Sequence, residues 1–174
     1  FPQWVGEENQ YYLMLENCVL KTAKMIAQWQ SVGFNHGVMN TDNMCITGTT
    51  FDYGPYGFMD RFVPKYTSNH SDTHGRYAYS QQPEIGFWNL NKLAETLTPL
   101  IGAEILEEEM KQYQPTFNQL YREEISKKLG LTILDSEFTQ LVQEMFQLLY
   151  NKQLDYTNFF RFLANYPAAS NSNE

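Results

Sequence analysis

The chain has 174 residues, 43% of them hydrophobic and 16% aromatic, enough for one folded unit with a real core and too apolar for a disordered segment. Twelve Lys and Arg against twenty Asp and Glu leave a net charge of −8, the wrong sign for a surface that grips nucleic-acid phosphates, so nucleic-acid binding is excluded as a default. The two cysteines, Cys18 and Cys45, are too few for a disulfide scaffold or a zinc ribbon and read as small buried hydrophobes. No run approaches the roughly 20 apolar residues of a membrane helix, so no membrane partner is expected.

In chain order, Tyr12, Leu15, Val19, Ala23, Ile26 and Trp29 recur in steps of three and four, which predicts a helix from Gln10 that stops at Gly33. Between Phe34 and Pro83 the helical period disappears and Gly, Asn, Asp, Tyr and Pro predominate. Met44-Cys45-Ile46-Thr47 and Thr49-Thr50-Phe51-Asp52 flank Gly48, a pattern that predicts a small β-hairpin bringing Asn43 beside Asp52.

Leu90, Leu93, Leu97 and Leu100 mark the next helix, closed by Gly102. Glu107, Glu108 and Glu109 read as a solvated face. Pro115 starts a further helix that ends at Gly130, and Asp135 and Asp155 read as the N-caps of two more. Residues 1–166 make one mainly α unit, and 167–174 are expected to be a disordered tail.

The chemistry concentrates in His36-Gly37-Val38-Met39-Asn40-Thr41-Asp42-Asn43 and, after the turn, Asp52-Tyr53-Gly54. An amide oxygen and one carboxylate are the hard donors that nucleotide-bound Mg²⁺ takes, since phosphates and water fill its other positions. Protein kinases hold their metals with a catalytic-loop Asn and the Asp of Asp-Phe-Gly. Here Asn43 follows His36 by the kinase spacing, and Asp52-Tyr53-Gly54 is a variant of the second motif. Val38 stands where a kinase has its catalytic Asp. A standard protein kinase is therefore disfavoured, and Asp42 is the carboxylate left in the loop to accept a proton. His36 reads as a structural residue hydrogen-bonded to the backbone. His70, Asp72 and His74 read as surface groups and not a zinc site. Tyr53, Tyr56 and Phe58 read as packing residues that shape the loop. Arg76 and Tyr77 fit either a substrate surface or a pin between loop and helix.

The ordered series Gly33-Phe34-Asn35-His36-Gly37-Val38-Met39-Asn40-Thr41-Asp42-Asn43-Met44, Phe51-Asp52-Tyr53-Gly54-Pro55-Tyr56-Gly57-Phe58-Met59-Asp60, Asn69-His70-Ser71-Asp72, Gly75-Arg76-Tyr77 and Gln81-Gln82-Pro83 closely resembles the selenoprotein O family, called YdiU in bacteria. The resemblance runs from about Trp4 to Leu163. It implies a protein-kinase-like C-terminal lobe with a small β-hairpin carrying the metal-binding loop. It also implies an adenylyltransferase that moves AMP from ATP, bound in flipped orientation, to Ser, Thr or Tyr hydroxyls of protein substrates.

On that resemblance Asp42 is the proton acceptor, Asn43 and Asp52 bind Mg²⁺ (or Mn²⁺), and Asp52 contacts ATP through the metal. The N-terminal lobe that such a protein needs finds no counterpart here, because a single helix precedes His36; the chain is expected to be inactive alone. The location implied is cytoplasmic in a bacterium and mitochondrial in a eukaryote. A kinase-like phosphotransferase and a non-catalytic pseudokinase-type binding module are the alternative readings.

Overall fold

The computed structural model describes residues 1–132 and 135–166, so the expected disordered tail, 167–174, lies outside the described residues. Among the described residues six α-helices run in chain order: α1 Gln10–Val32, α2 Gln82–Ile101, α3 Ala103–Met110, α4 Tyr113–Leu129, α5 Ser136–Asn151 and α6 Tyr156–Asn165. Two short strands, β1 Phe34–Asn35 and β2 Gly57–Phe58, pair antiparallel with Phe34 opposite Phe58 and Asn35 opposite Gly57. No described helix is long and apolar enough to cross a membrane.

The apolar stripe of α1 is the centre of the molecule. Leu15, Val19, Ala23, Ile26 and Trp29 are all buried, packed against Ile85, Leu90, Ala94 and Leu97 of α2, Leu106 and Met110 of α3, and Tyr113 and Phe117 of α4. Gly33 ends α1 in a left-handed conformation, as the sequence predicts. A second cluster, Met59, Ile125, Phe138, Met145, Leu149, Tyr156 and Phe160, seats α5 and α6 beside α4. Tyr156 ties the clusters together: its hydroxyl donates to the Ser31 carbonyl at 2.9 Å, and its backbone N–H to the Asp60 carbonyl at 2.7 Å.

The helix starts at Asp135 and Asp155 form as expected, each carboxylate accepting the backbone N–H three residues on, Phe138 at 2.9 Å and Asn158 at 2.8 Å. Helix α4 begins at Tyr113, two residues ahead of Pro115. Its missing N–H costs nothing in a first turn, so Pro115 is compatible with the turn without marking its first residue. In α2, Leu90 and Leu97 are buried and Leu100 is exposed, while Ile101, four residues after Leu97 and on its face, packs against the core.

Two expectations are corrected. Glu109 is not part of a solvated face: it is buried and accepts a hydrogen bond from the Tyr12 hydroxyl at 2.9 Å, while Glu107 and Glu108 are exposed. Burial raises the Glu109 carboxyl above the usual range, and the bond to Glu109, with burial, pushes the Tyr12 phenol up to about 12. The hairpin around Gly48 is also absent. The pairing that forms is between β1 and β2, outside it, and residues 36–56 make one long excursion between them.

The physical reason is that this segment satisfies itself against α1. Trp29 Nε1 donates to Thr50 Oγ1 at 2.9 Å and Cys18 Sγ to the Ile46 carbonyl at 3.4 Å. Gly48, at φ +69°, lies so close to α1 that a Cβ would sit 2.6 Å from Cβ of Lys21. An isolated two-stranded hairpin is marginal in water, so these tethers to a rigid helix win.

Candidate functional site

The excursion is held by buried side-chain amides. Gln82, at the first turn of α2 and fully buried, accepts the His36 N–H at 2.9 Å and donates to the Phe34 carbonyl at 2.9 Å. Asn35, also fully buried, donates to the Tyr77 carbonyl at 2.7 Å and accepts both the backbone N–H and the hydroxyl of Ser68 at 2.8 Å. Asn89 donates to the Met39 carbonyl at 2.9 Å, and Asn69 to the Gly37 carbonyl at 3.1 Å. Irregular backbone that leaves water must find partners for its N–H and C=O groups, and these amides supply them. Gly37, at φ +82°, is required where it stands, since a Cβ there would meet Ser68 Oγ at 2.7 Å and Pro55 Cγ at 3.2 Å.

His36 is the hub. It is fully buried, with Trp29 and Phe34 rings 5.4 and 6.4 Å from its own. Its Nε2 lies 3.0 Å from the Phe51 carbonyl, and Val38 N–H approaches its Nδ1 at 3.4 Å. A carbonyl can only accept and an N–H can only donate, so the network assigns the proton to Nε2 and the lone pair to Nδ1. The structural reading of His36 holds, and the ring joins both halves of the excursion.

The three candidate residues sit on this frame. Asp42 and Asn43 belong to the short 3₁₀ turn Thr41–Asn43, where Asp42 is exposed and Asn43 half-buried. The Asn43 amide nitrogen donates to the Val38 carbonyl at 3.0 Å, and among the described residues no donor reaches its oxygen. Asp52 is exposed and follows directly on Phe51, whose carbonyl His36 holds. Its φ of +52° is uncommon for any residue other than glycine, though Asp and Asn tolerate it best. A path of hydrogen bonds therefore runs from Asn43 through Val38 and His36 to the residue beside Asp52.

Mg²⁺ and Mn²⁺ take amide oxygens and carboxylates, and Asn43 and Asp52 carry one of each. Among the described residues no group of three His, Cys, Asp or Glu gathers to form an all-protein metal cage, and a nucleotide-borne Mg²⁺ does not need one. His70 and His74 are exposed, in keeping with surface roles.

Tyr53, Tyr56 and Phe58 pack on Phe34, with ring centroids 6.3, 5.9 and 5.4 Å away, so they do shape the loop although each remains about half exposed. The Arg76 guanidinium lies over the Trp88 ring of α2 at 4.9 Å, and the Asp72 carboxylate accepts the Arg76 and Tyr77 N–H groups at 3.0 and 2.8 Å, which favours the pin over the substrate surface. Cys18 is buried as expected. Cys45 is not: it is half-exposed, with Sγ 2.9 Å from Thr47 Oγ1, and hydrogen bonds from Thr47 lower its thiol below the usual value. Gln82 falls in one of the motifs that carry the family resemblance, but its anchoring role and that of Asn89 are not legible in the sequence, since nothing distinguishes a buried amide on a helix from a solvated one until the helix is packed.

A family model described as Protein adenylyltransferase SelO matches residues 1–174. Among curated relatives, the Protein nucleotidyltransferase YdiU of Aliivibrio fischeri (strain MJ11) is 51% identical over 165 residues, 95% of this chain and 34% of that protein. Its counterpart in Vibrio vulnificus (strain CMCP6) is 49% identical over 163 residues, 94% of this chain and 33% of the relative. That of Myxococcus xanthus (strain DK1622) is 47% identical over 169 residues, 97% and 35% respectively. The chain thus spans about a third of the length of the relatives it matches.

Proposed function

Because the chain belongs to the protein adenylyltransferase SelO family, we propose that it carries the metal-binding and proton-accepting half of an enzyme that transfers AMP from ATP to hydroxyl side chains of proteins. The observation that supports this reading is the hydrogen-bonded path from Asn43 through Val38 and His36 to the Phe51 carbonyl, which ties the turn carrying Asn43 to the residue preceding Asp52. The order of helix α1, amide-clamped excursion and helix α2 supports a kinase-like C-terminal lobe. The phosphate-gripping residues would come from the part of the protein outside this chain, so the chain alone is expected to be inactive.

Asn43 and Asp52 would hold Mg²⁺ or Mn²⁺, which when bound supplies charge stabilisation for the phosphates of ATP. Asp42, one residue from Asn43 and open to solvent, takes the proton of the incoming Ser, Thr or Tyr hydroxyl as its oxygen attacks the α-phosphorus. The bond from the α-phosphorus to the bridging oxygen breaks and pyrophosphate departs. His36 does not exchange protons in this scheme, because both ring nitrogens are committed to backbone groups. The exposed position of Asp42 fits a group that must meet the side chain of another protein.

The test is incubation of the full-length protein with ATP labelled at either the α- or the γ-phosphate. AMP transfer marks the product with the α label alone; a γ label on the product would replace this reading with phosphotransfer. Asp42→Asn should lower turnover by about 10²–10⁴-fold while leaving ATP affinity within a few-fold, the pattern of a lost base.

A further inference from the structure

A cavity of about 800 Å³ lies between α1, α3 and the start of α4. No residue from 33 to 101 lines it, so it is separate from the candidate metal loop and from the amides that hold that loop. Its wall is acidic: Glu16 of α1 and Glu104, Glu108 and Glu109 of α3 all contribute. Among the described residues the cation paired with any of them is Lys111, which meets Glu108 at 2.9 Å.

Glu109 sets this wall apart from an ordinary run of surface carboxylates. The residue is 6% exposed and lines the cavity. Its Oε2 accepts the Tyr12 hydroxyl at 2.9 Å, whereas its Oε1 has no partner among the described residues and is still reached by solvent. A carboxylate withdrawn from water normally finds a cation or several donors, and this one has a single phenol. Burial, and after it the charge of Glu16, raise its carboxyl above the usual range. Both effects are relieved by a positive group placed at Oε1.

The rest of the wall says what should carry that charge. Among the described residues no three acidic side chains converge to hold a metal ion. Leu20, one turn after Glu16, and Ile105, one turn before Glu109, line the same cavity and are each about half exposed. Glu104 is exposed, has no ion pair among the described residues, and stands about 7.5 Å along the α3 axis from Glu109. A buried acid, an apolar stretch and an exposed acid thus share one cavity, a pattern met by a chain of methylenes with a cation at each end.

We propose that this cavity binds a linear aliphatic polyamine, with one ammonium on Glu109 Oε1 and Glu16, the alkyl chain along Leu20 and Ile105, and a second ammonium at Glu104. The volume lies in the range of ordinary small-molecule sites. The binding uses no residue of the proposed AMP transfer and does not rest on that reading.

Putrescine is the probe, with butylamine, which has one ammonium, and butanediol, which has none, as controls. Calorimetric titration of the full-length protein at low ionic strength should show one putrescine site, about fivefold weaker binding of butylamine, and no heat from butanediol. Glu104→Gln, at an exposed position, should bring putrescine down to the affinity of butylamine and leave butylamine within about twofold. Glu109→Gln, which keeps an oxygen for the Tyr12 hydroxyl, should weaken both amines about tenfold or more. Glu144→Gln on α5, an exposed carboxylate outside the cavity, should change neither.

Butylamine binding as tightly as putrescine overturns the proposal. So does an equal effect of Glu144→Gln and Glu104→Gln, since the amines would then answer only to the net charge of the protein. Absence of heat from either amine also overturns it, because the cavity is then closed or filled by the protein's own chain. Should Glu109→Gln fail to fold, the Glu104→Gln comparison decides by itself: a putrescine affinity unchanged in that variant overturns the site, and a loss confined to putrescine supports it.

Discussion

His36 and Phe51 are fifteen residues apart, and the ring of one holds the backbone carbonyl of the other at 3.0 Å. The strained Asp52 follows immediately, while the opposite ring nitrogen of His36 receives Val38, whose carbonyl in turn takes the Asn43 amide. One buried imidazole thus stands between the two proposed metal donors.

Replacing His36 by Phe keeps the aromatic contacts with Trp29 and Phe34 but leaves the Phe51 carbonyl and the Val38 N–H without partners. The expected outcome is a folded protein destabilised by about 2 kcal/mol, with Mg²⁺–ATP affinity reduced about 10–100-fold as the donor pair loosens. Calorimetric titration of the full-length variant reads it. Unchanged affinity would show that the ring fixes the loop without governing the metal donors.

Asp52 separates backbone strain from chemistry. At φ +52° glycine is unstrained and alanine is not, so Asp52→Gly should be more stable than Asp52→Ala by about 1 kcal/mol. Both should lose AMP transfer by more than about 10²-fold, because the carboxylate is gone in each. Urea denaturation alongside α-label transfer measures the two effects together. Activity surviving in the glycine variant would mean that the left-handed turn, and not the carboxylate, is what the reaction requires.

Gln82→Leu tests the amide clamp. The substitution preserves the apolar bulk yet strands the His36 N–H and the Phe34 carbonyl inside the protein, and each orphan costs about 1–3 kcal/mol. We expect a loss of about 3 kcal/mol in unfolding free energy, with amide hydrogen exchange accelerated at His36 ahead of the helix cores. A loss under about 0.5 kcal/mol would contradict the assigned bonds.

Lys128 gives the protein a pH signature. Its ammonium donates to the Ser31 carbonyl at 2.6 Å and lies over the Phe160 ring at 3.9 Å and the Tyr156 ring at 4.9 Å, and burial lowers its pKa to about 8. The unfolded chain keeps this proton up to the ordinary lysine value, so between about pH 8 and 10 the unfolded state binds more protons and stability rises with pH. The rise should be about 1–2 kcal/mol, its lower end reflecting the ring and carbonyl contacts that favour the charged form. Tyr79, Tyr113, Tyr121 and Tyr156 have phenols pushed up by burial, so ionisation of the unfolded chain reverses the trend at higher pH. Burial also pushes the Cys18 thiol up to about 11, which lowers stability over the same interval, so from pH 7.5 to 9.5 the denaturant midpoint should fall further, or rise less, in Lys128→Met than in the native protein.

The helix of Gln10–Val32, its stop at Gly33, the caps at Asp135 and Asp155 and the end of α4 at Gly130 were all legible in the chain, because each is set by hydrogen bonds and spacings within about four residues. The candidate residues Asp42, Asn43 and Asp52 were legible too, through the motif spacing around His36. Besides the exposure of Cys45, three things were not. The hairpin at Gly48 had the right composition but lost to bonds from Trp29 and Cys18 on α1. Glu109 lay in an acidic run yet turned inward to Tyr12. The clamps of Gln82 and Asn89 reach back 46 and 50 residues to the loop they hold.

The amino-acid order by itself determined which segments are helical, where they start and stop, and which polar groups could do chemistry, since those follow from side-chain type and short-range periodicity. Only the tertiary structure decided which strands pair, which carboxylate is buried and which amides hold the loop. Those outcomes depend on which distant surface each segment meets once α1 is enclosed, and the free energy of burying or pairing a polar group has no value until that neighbour is in place.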